Sequence, residues 1–192
     1  MSEHVCPVWV GHLLASPLRR WLHDPDKILG PHVMEGMTAL DIGCAMGFFS
    51  LPLAEMVGAC GKVISVDMQE NMLKSLEIRA KRAGLSERMQ LRACSQDSLG
   101  IDDMGGAVDF ALAFAVIHEV SNQEHLFSEL NQAIRTGGKL LLAEPKGHVP
   151  KKEFEATIAL AVDEGFDVTC HLPVRICRAV LMEKRSAENE RV

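Results

Sequence analysis

The stretch Ala39-Leu40-Asp41-Ile42-Gly43-Cys44-Ala45-Met46-Gly47 constrains the fold more than any other part of this chain. Apolar residues lead into an acid, and small residues then alternate at Gly43, Ala45 and Gly47. A run of this kind ends a parallel strand in a turn that passes closely beneath a bound group. Small residues let the backbone approach that group. The helix that follows aims its amide N–H groups and the positive end of its dipole at the same place. The pattern therefore calls for a charged, nucleoside-like ligand over the turn.

The rest of the chain alternates between strand and helix patterns. Val8 to Trp21 is apolar and helical in pattern, interrupted by Pro17. Pro25 starts a short helix through Leu29, which Gly30-Pro31 ends. Thr38 to Ile42 reads as the first strand. Phe48 to Val57 reads as a helix with Phe49, Leu53 and Val57 at helical spacing. Lys62 to Val66 is a second strand, ending at Asp67. Gln69 to Ala83 is a helix with Leu73, Leu76, Ala80 and Ala83 on one face, closed by Gly84. Met89 to Ala93 and Val108 to Val116 are the third and fourth strands. Gln123 to Ile134 is a helix with Phe127, Leu130 and Ile134 inward. After a Gly137-Gly138 turn, Lys139 to Ala143 is the fifth strand. Lys151 to Asp163 is a helix with Phe154, Ile158 and Val162 aligned. Asp167 to His171 and Ile176 to Glu183 are the last two strands.

This alternation selects an α/β fold: a doubly wound, Rossmann-like, mostly parallel seven-stranded sheet with helices on both faces. Leu172 to Arg175 is too short to make a parallel crossover, so the chain closes with an antiparallel C-terminal hairpin strand. Three segments are expected: a helical cap over residues 1–33, a ligand-binding domain over 34–184 and a disordered tail over 185–192.

Composition removes several classes. A net charge of -6 argues against nucleic acid, whose phosphates reward a basic face. No apolar run approaches the ~20 residues of a membrane span. The start, Met1-Ser2-Glu3-His4, lacks the features of a signal peptide, so a cytoplasmic protein is expected. Six cysteines with no C-x-x-C pair read as free thiols, and no metal site is assigned.

Taken together, the motifs resemble those of class I S-adenosylmethionine-dependent methyltransferases, from roughly Met34 to Lys184. Leu40 to Gly47 is similar to that family's first motif, with Ala45 in place of the middle glycine. Val63-Ile64-Ser65-Val66-Asp67 is similar to the second, in which an acid ends the second strand. Asp109 to Ala115 resembles the fourth-strand motif, and Gly137-Gly138-Lys139-Leu140-Leu141-Leu142 the turn into the fifth strand.

The resemblance implies S-adenosylmethionine as cofactor and S-adenosylhomocysteine as product. It places Gly43, Cys44, Ala45 and Gly47 around the methionine part and gives Asp41 the orientation of the turn. Asp67 would accept hydrogen bonds from both ribose hydroxyls, and Met68 would pack on the adenine. Ser95 and Gln96 fall at the adenine edge, with Asp97 a rival two residues on. Phe114 ends the fourth strand beside the methyl group. The bland alternatives stay open: Asp67 as a helix cap, Met68 as ordinary core, Cys44 as a small filler.

Methyl transfer from a sulfonium to an acceptor is an in-line displacement that needs alignment above all, and a base only when the acceptor must lose a proton. His118 and Glu119 after the fourth strand, and Glu144 after the fifth, are the catalytic candidates, because ligands bind outside the carboxyl ends of such strands. A small-molecule acceptor is expected. Two other functions compete: a nicotinamide-dependent oxidoreductase and a non-catalytic cofactor-binding subunit. The first wants G-x-G-x-x-G, and this chain has Gly43-x-Ala45-x-Gly47.

Overall fold

The computed structural model describes residues 22–186. The elements run α1 (Pro25–Leu29), β1 (Thr38–Ile42), α2 (Ser50–Met56), β2 (Lys62–Asp67), α3 (Glu70–Ala83) and β3 (Met89–Ala93). They continue with β4 (Val108–Phe114), α4 (Gln123–Ala133), β5 (Ile134–Pro145), α5 (Lys151–Asp163), β6 (Phe166–Leu172) and β7 (Cys177–Lys184). The seven strands form one sheet in the order β3-β2-β1-β4-β5-β7-β6. The α/β class and the antiparallel closing hairpin follow the sequence expectation. The expected cap over residues 1–33 falls mostly outside the described residues, as does nearly all of the tail. Among the described residues no helix is long and apolar enough to cross a membrane.

By contacts the chain divides into two compact units, Met1–Ser95 and Gln96–Val192. In the first, β1, β2 and β3 run parallel, with Asp41 opposite Ser65 and Asp67 opposite Ala93. The interior of β1 and β2 is almost wholly buried, as the apolar runs of a covered parallel sheet require. Helix α3 buries Met72, Leu73, Leu76 and Ala80. Ala83, expected on the same face, is exposed. The helix stops there because Gly84 adopts a left-handed φ of +70°. The chain then folds back so that the Leu85 N–H reaches the Ala80 carbonyl at 2.9 Å, and Leu85 takes the buried place instead.

In the second unit, β4 and β5 are parallel, while β5–β7 and β7–β6 are antiparallel. Strand β5 begins earlier than the expected Lys139. Ile134 already pairs with Val108, the register then shifts, and Lys139 pairs with Phe110. The Gly137-Gly138 turn is thus a bulge inside the strand. On α5 the buried face is Phe154, Thr157 and Ala161, with Ile158 and Val162 only half-buried. Edge strand β6 is exposed along most of its length.

Candidate functional site

The end of β1 turns sharply. Gly43 and Cys44 donate their N–H groups to the Val66 carbonyl at 2.9 and 3.0 Å. Ala45 then takes a φ of +46° and Gly47 one of +81°. A Cβ on Gly47 would lie 2.1 Å from Leu76 Cδ1, so conformation and space both demand glycine. Helix α3 braces the same turn a second way, because Arg79 donates to the Met46 carbonyl. Asp41, 3% exposed, accepts a 2.5 Å hydrogen bond from Ser50 Oγ. It ties the strand to the first residue of α2 across the turn.

Asp67 ends β2 at 8% exposure. Its Oδ2 accepts the Ala45 N–H at 2.8 Å, and its Oδ1 accepts the Gln69 N–H at 2.8 Å. One carboxylate thus holds both the turn after β1 and the residue that leads into α3, while the helix itself has Gln69 at its N-cap and no side-chain cap bond. Burial raises its pKa, while those two N–H bonds pull the other way. Burial, with the nearby Asp41 and Asp67 carboxylates, pushes the Cys44 thiol far up. A thiol held protonated in this way is a poor nucleophile. Met68 is half-exposed. Ser95, Gln96 and Asp97 are all exposed, so exposure does not separate the three rivals.

In the second unit the carboxyl ends of β4 and β5 carry the other candidates. Phe114 ends β4 and is buried. Ala115 follows with a φ of +58° and donates to the Ala143 carbonyl at 2.7 Å. The short 3₁₀ turn Ile117–Glu119 is then gripped by Glu144, which is 2% exposed. Glu144 Oε1 accepts the N–H groups of Ile117 at 2.8 Å and His118 at 3.3 Å. Its Oε2 lies 2.7 Å from His118 Nδ1. Gln123 completes the hold by donating to the Ile117 carbonyl at 3.2 Å, while its own oxygen accepts from Thr157 at 3.0 Å.

The His118 ring is 28% exposed, and its Nε2 lies 4.0 Å from Glu119 Oε1. The hydrogen bond to Glu144 raises the His118 pKa above the usual histidine value. Partial burial opposes that shift, and the charges of Glu144 and Glu119 add to it. Glu144 thus fixes the His118 ring through Nδ1, and the other ring nitrogen, Nε2, faces Glu119. His148 lies near, with ring centroids 6.2 Å apart. Among the described residues no three His, Cys, Asp or Glu side chains gather as a metal site.

Sequence reasoning missed Ser50, Arg79, Leu76, Gln123 and Thr157. Only Ser50 had a local signal, a small hydroxyl residue soon after the turn. Gln123 opens the helix just after the turn it holds, and Arg79, Leu76 and Thr157 arrive from helices far along the chain.

A family model described as a methyltransferase domain matches residues 34–182. The chain is 27% identical over 126 residues to a demethylmenaquinone methyltransferase of Oceanobacillus iheyensis, covering 66% of this chain and 51% of that protein. It is 29% identical over 137 residues to a ubiquinone biosynthesis O-methyltransferase of Rhizobium johnstonii, covering 71% and 51%. The chain thus spans about half the length of these curated relatives. A crystal structure of a SAM-dependent methyltransferase from Aquifex aeolicus superposes with a TM-score of 0.83 at 26% identity, covering 94% of this chain and 100% of that one.

Proposed function

Because the chain belongs to the class I S-adenosylmethionine-dependent methyltransferase family, we propose that it transfers a methyl group from S-adenosylmethionine to a small-molecule acceptor. The observation that carries the reading is Asp67. Its two oxygens each accept one backbone N–H, and a carboxylate offers about four acceptor positions. One position on each oxygen thus stays available for the two hydroxyls of a ribose. The backbone bonds aim the carboxylate before any ligand arrives.

The other residues fit the same group. Ala45 and Gly47 keep the turn small, and Asp41 with Ser50 fixes its shape. Met68 gives an exposed apolar surface for the adenine. By the family resemblance, Ser95 and Gln96, or Asp97, would meet its edge, and Phe114 would stand at the methyl end. S-Adenosylmethionine, when bound, supplies the electrophilic methyl carbon and its own leaving group.

On the acceptor side His118 is assigned the base. With Nδ1 committed to Glu144, its proton-accepting atom is Nε2, which takes a hydroxyl or amine proton from the acceptor. Glu144 fixes the tautomer and the ring plane, and Glu119 supports the charge that forms on the ring. Relatives named for menaquinone and ubiquinone biosynthesis support an organic small molecule as acceptor.

Titration calorimetry with S-adenosylhomocysteine, S-adenosylmethionine and NAD tests the cofactor. Both sulfur ligands are expected to bind and NAD to give no heat. Binding of NAD alone would overturn the reading in favour of an oxidoreductase.

A further inference from the structure

We propose that Glu129 is a positioning residue for recognition of the adenine ring, acting by holding the loop after β3 in shape. The proposal rests on the cofactor reading above and deepens it. Glu129 lies on the inward face of α4 with Leu126, Phe127, Leu130 and Ala133, and it is 6% exposed. A carboxylate on a buried helix face is costly unless hydrogen bonds compensate. Its close donors are two successive residues. Ser98 Oγ donates to Oε1 at 2.6 Å, and the Leu99 N–H reaches Oε2 at 3.0 Å and Oε1 at 3.2 Å. His125 Nε2 stands further off, 4.0 Å from Oε2.

Residues 94–101 have no helix or strand to fix them. This carboxylate helps to fix them, together with a Gly100 N–H bond to Ser98 Oγ at 3.1 Å, a Cys94 N–H bond to the Asp67 carbonyl at 3.1 Å, and the burial of Leu99 and Ile101. Gln96 and Asp97 stand exposed just before the braced pair. A buried charge kept only for packing has no reason to be there, since an apolar residue of like size serves as well or better. Here both carboxylate oxygens act on the segment that presents the adenine-edge candidates. Glu129 therefore sets the geometry in which those residues meet the base.

The test uses calorimetry with S-adenosylhomocysteine and with its hypoxanthine counterpart, S-inosylhomocysteine, which differs only in the base. The wild type is expected to prefer the adenine ligand. Glu129→Leu should weaken S-adenosylhomocysteine binding about tenfold, the size expected for a lost charged hydrogen bond, and erase most of the preference. Glu129→Gln keeps an acceptor and should fall between. Ser98→Ala removes the hydroxyl's bonds to Glu129 and Gly100 but leaves the Leu99 N–H on the carboxylate, and should shift both readouts the same way by less. It decides the matter if Glu129→Leu does not fold. Unchanged affinity and preference, or an equal loss for both ligands, would overturn the proposal and leave the cofactor reading intact. Failure of the wild type to bind S-adenosylhomocysteine would overturn both.

Discussion

Glu144 and His118 form one hydrogen-bonded unit: the carboxylate takes Nδ1 of the imidazole at 2.7 Å on one oxygen and the backbone of the same turn on the other. Ring, turn and strand end are thereby locked together. The consequence is chemical. An anionic partner at Nδ1 keeps the proton there and leaves Nε2 as the acceptor of protons.

The first prediction follows from that lock. A base must be neutral to act, and Glu144 raises the pKa of His118. The rate kcat/KM should therefore climb with pH through an apparent value above the ~6.5 of ordinary histidine. Glu144→Gln replaces an acceptor with an amide that donates to Nδ1, which moves the ring proton to Nε2 and disables the base. The rate should fall by about a hundredfold or more, and any residual profile should shift toward lower pH. A pH–rate series on both proteins checks it, and a flat profile in the wild type would remove His118 from the chemistry.

Asp67 should show two separable effects. Asp67→Asn places an amide where both oxygens now accept backbone N–H groups, so one N–H loses its partner whichever way the amide turns. We expect a loss of stability of about 1–3 kcal/mol, as for an orphaned buried donor, seen in urea unfolding without ligand. We expect a further loss of S-adenosylhomocysteine affinity of similar size. Full affinity in a destabilised variant would reduce Asp67 to a structural brace of the turn.

How much of this was open to reading depends on the range of the signals. Strand ends were legible because a buried parallel strand writes an unbroken apolar run and the acids Asp41 and Asp67 interrupt it. The α3 stripe was legible up to Ala80, where period alone decides. It failed at Ala83 because a left-handed Gly84 ends the helix and hands the buried site to Leu85. At Gly137-Gly138 the sequence predicts a turn and the structure has a bulge, because glycine pairs look alike in both. In the candidate site, Asp41, Asp67, His118 and Glu144 announce themselves by standing at or just beyond the carboxyl ends of strands. Arg79, Glu129 and Thr157 did not, since each acts on a segment about thirty residues away and a helix face carries no mark of its distant partner.

Gly47 should be the least replaceable small residue of the turn. Gly47→Ala meets a left-handed φ, costing about 1–2 kcal/mol, and the Leu76 side chain at 2.1 Å, costing about 1–3 kcal/mol more. The added Leu76→Ala change should recover the steric part and leave the conformational part. A double-mutant cycle in urea unfolding then shows a favourable coupling. Strict additivity would mean the turn relaxes away from α3.

Ile176 offers the opposite case, a strained residue whose replacement should help. It sits between β6 and β7 with a φ of +57°, a left-handed conformation that is unusual for a β-branched side chain. The backbone is held there because its carbonyl accepts the Lys146 N–H at 2.9 Å. The side chain is half-exposed, so little core packing offsets the strain. Asparagine tolerates this conformation without the added unfolded-state freedom of glycine. Ile176→Asn should therefore stabilise the protein by about 1 kcal/mol, raising the urea midpoint with the slope unchanged. Ile176→Gly should gain less, because the unfolded chain gains freedom as well. Destabilisation by asparagine, with glycine neutral or worse, would show that the isoleucine side chain earns its place through packing on the neighbouring loop.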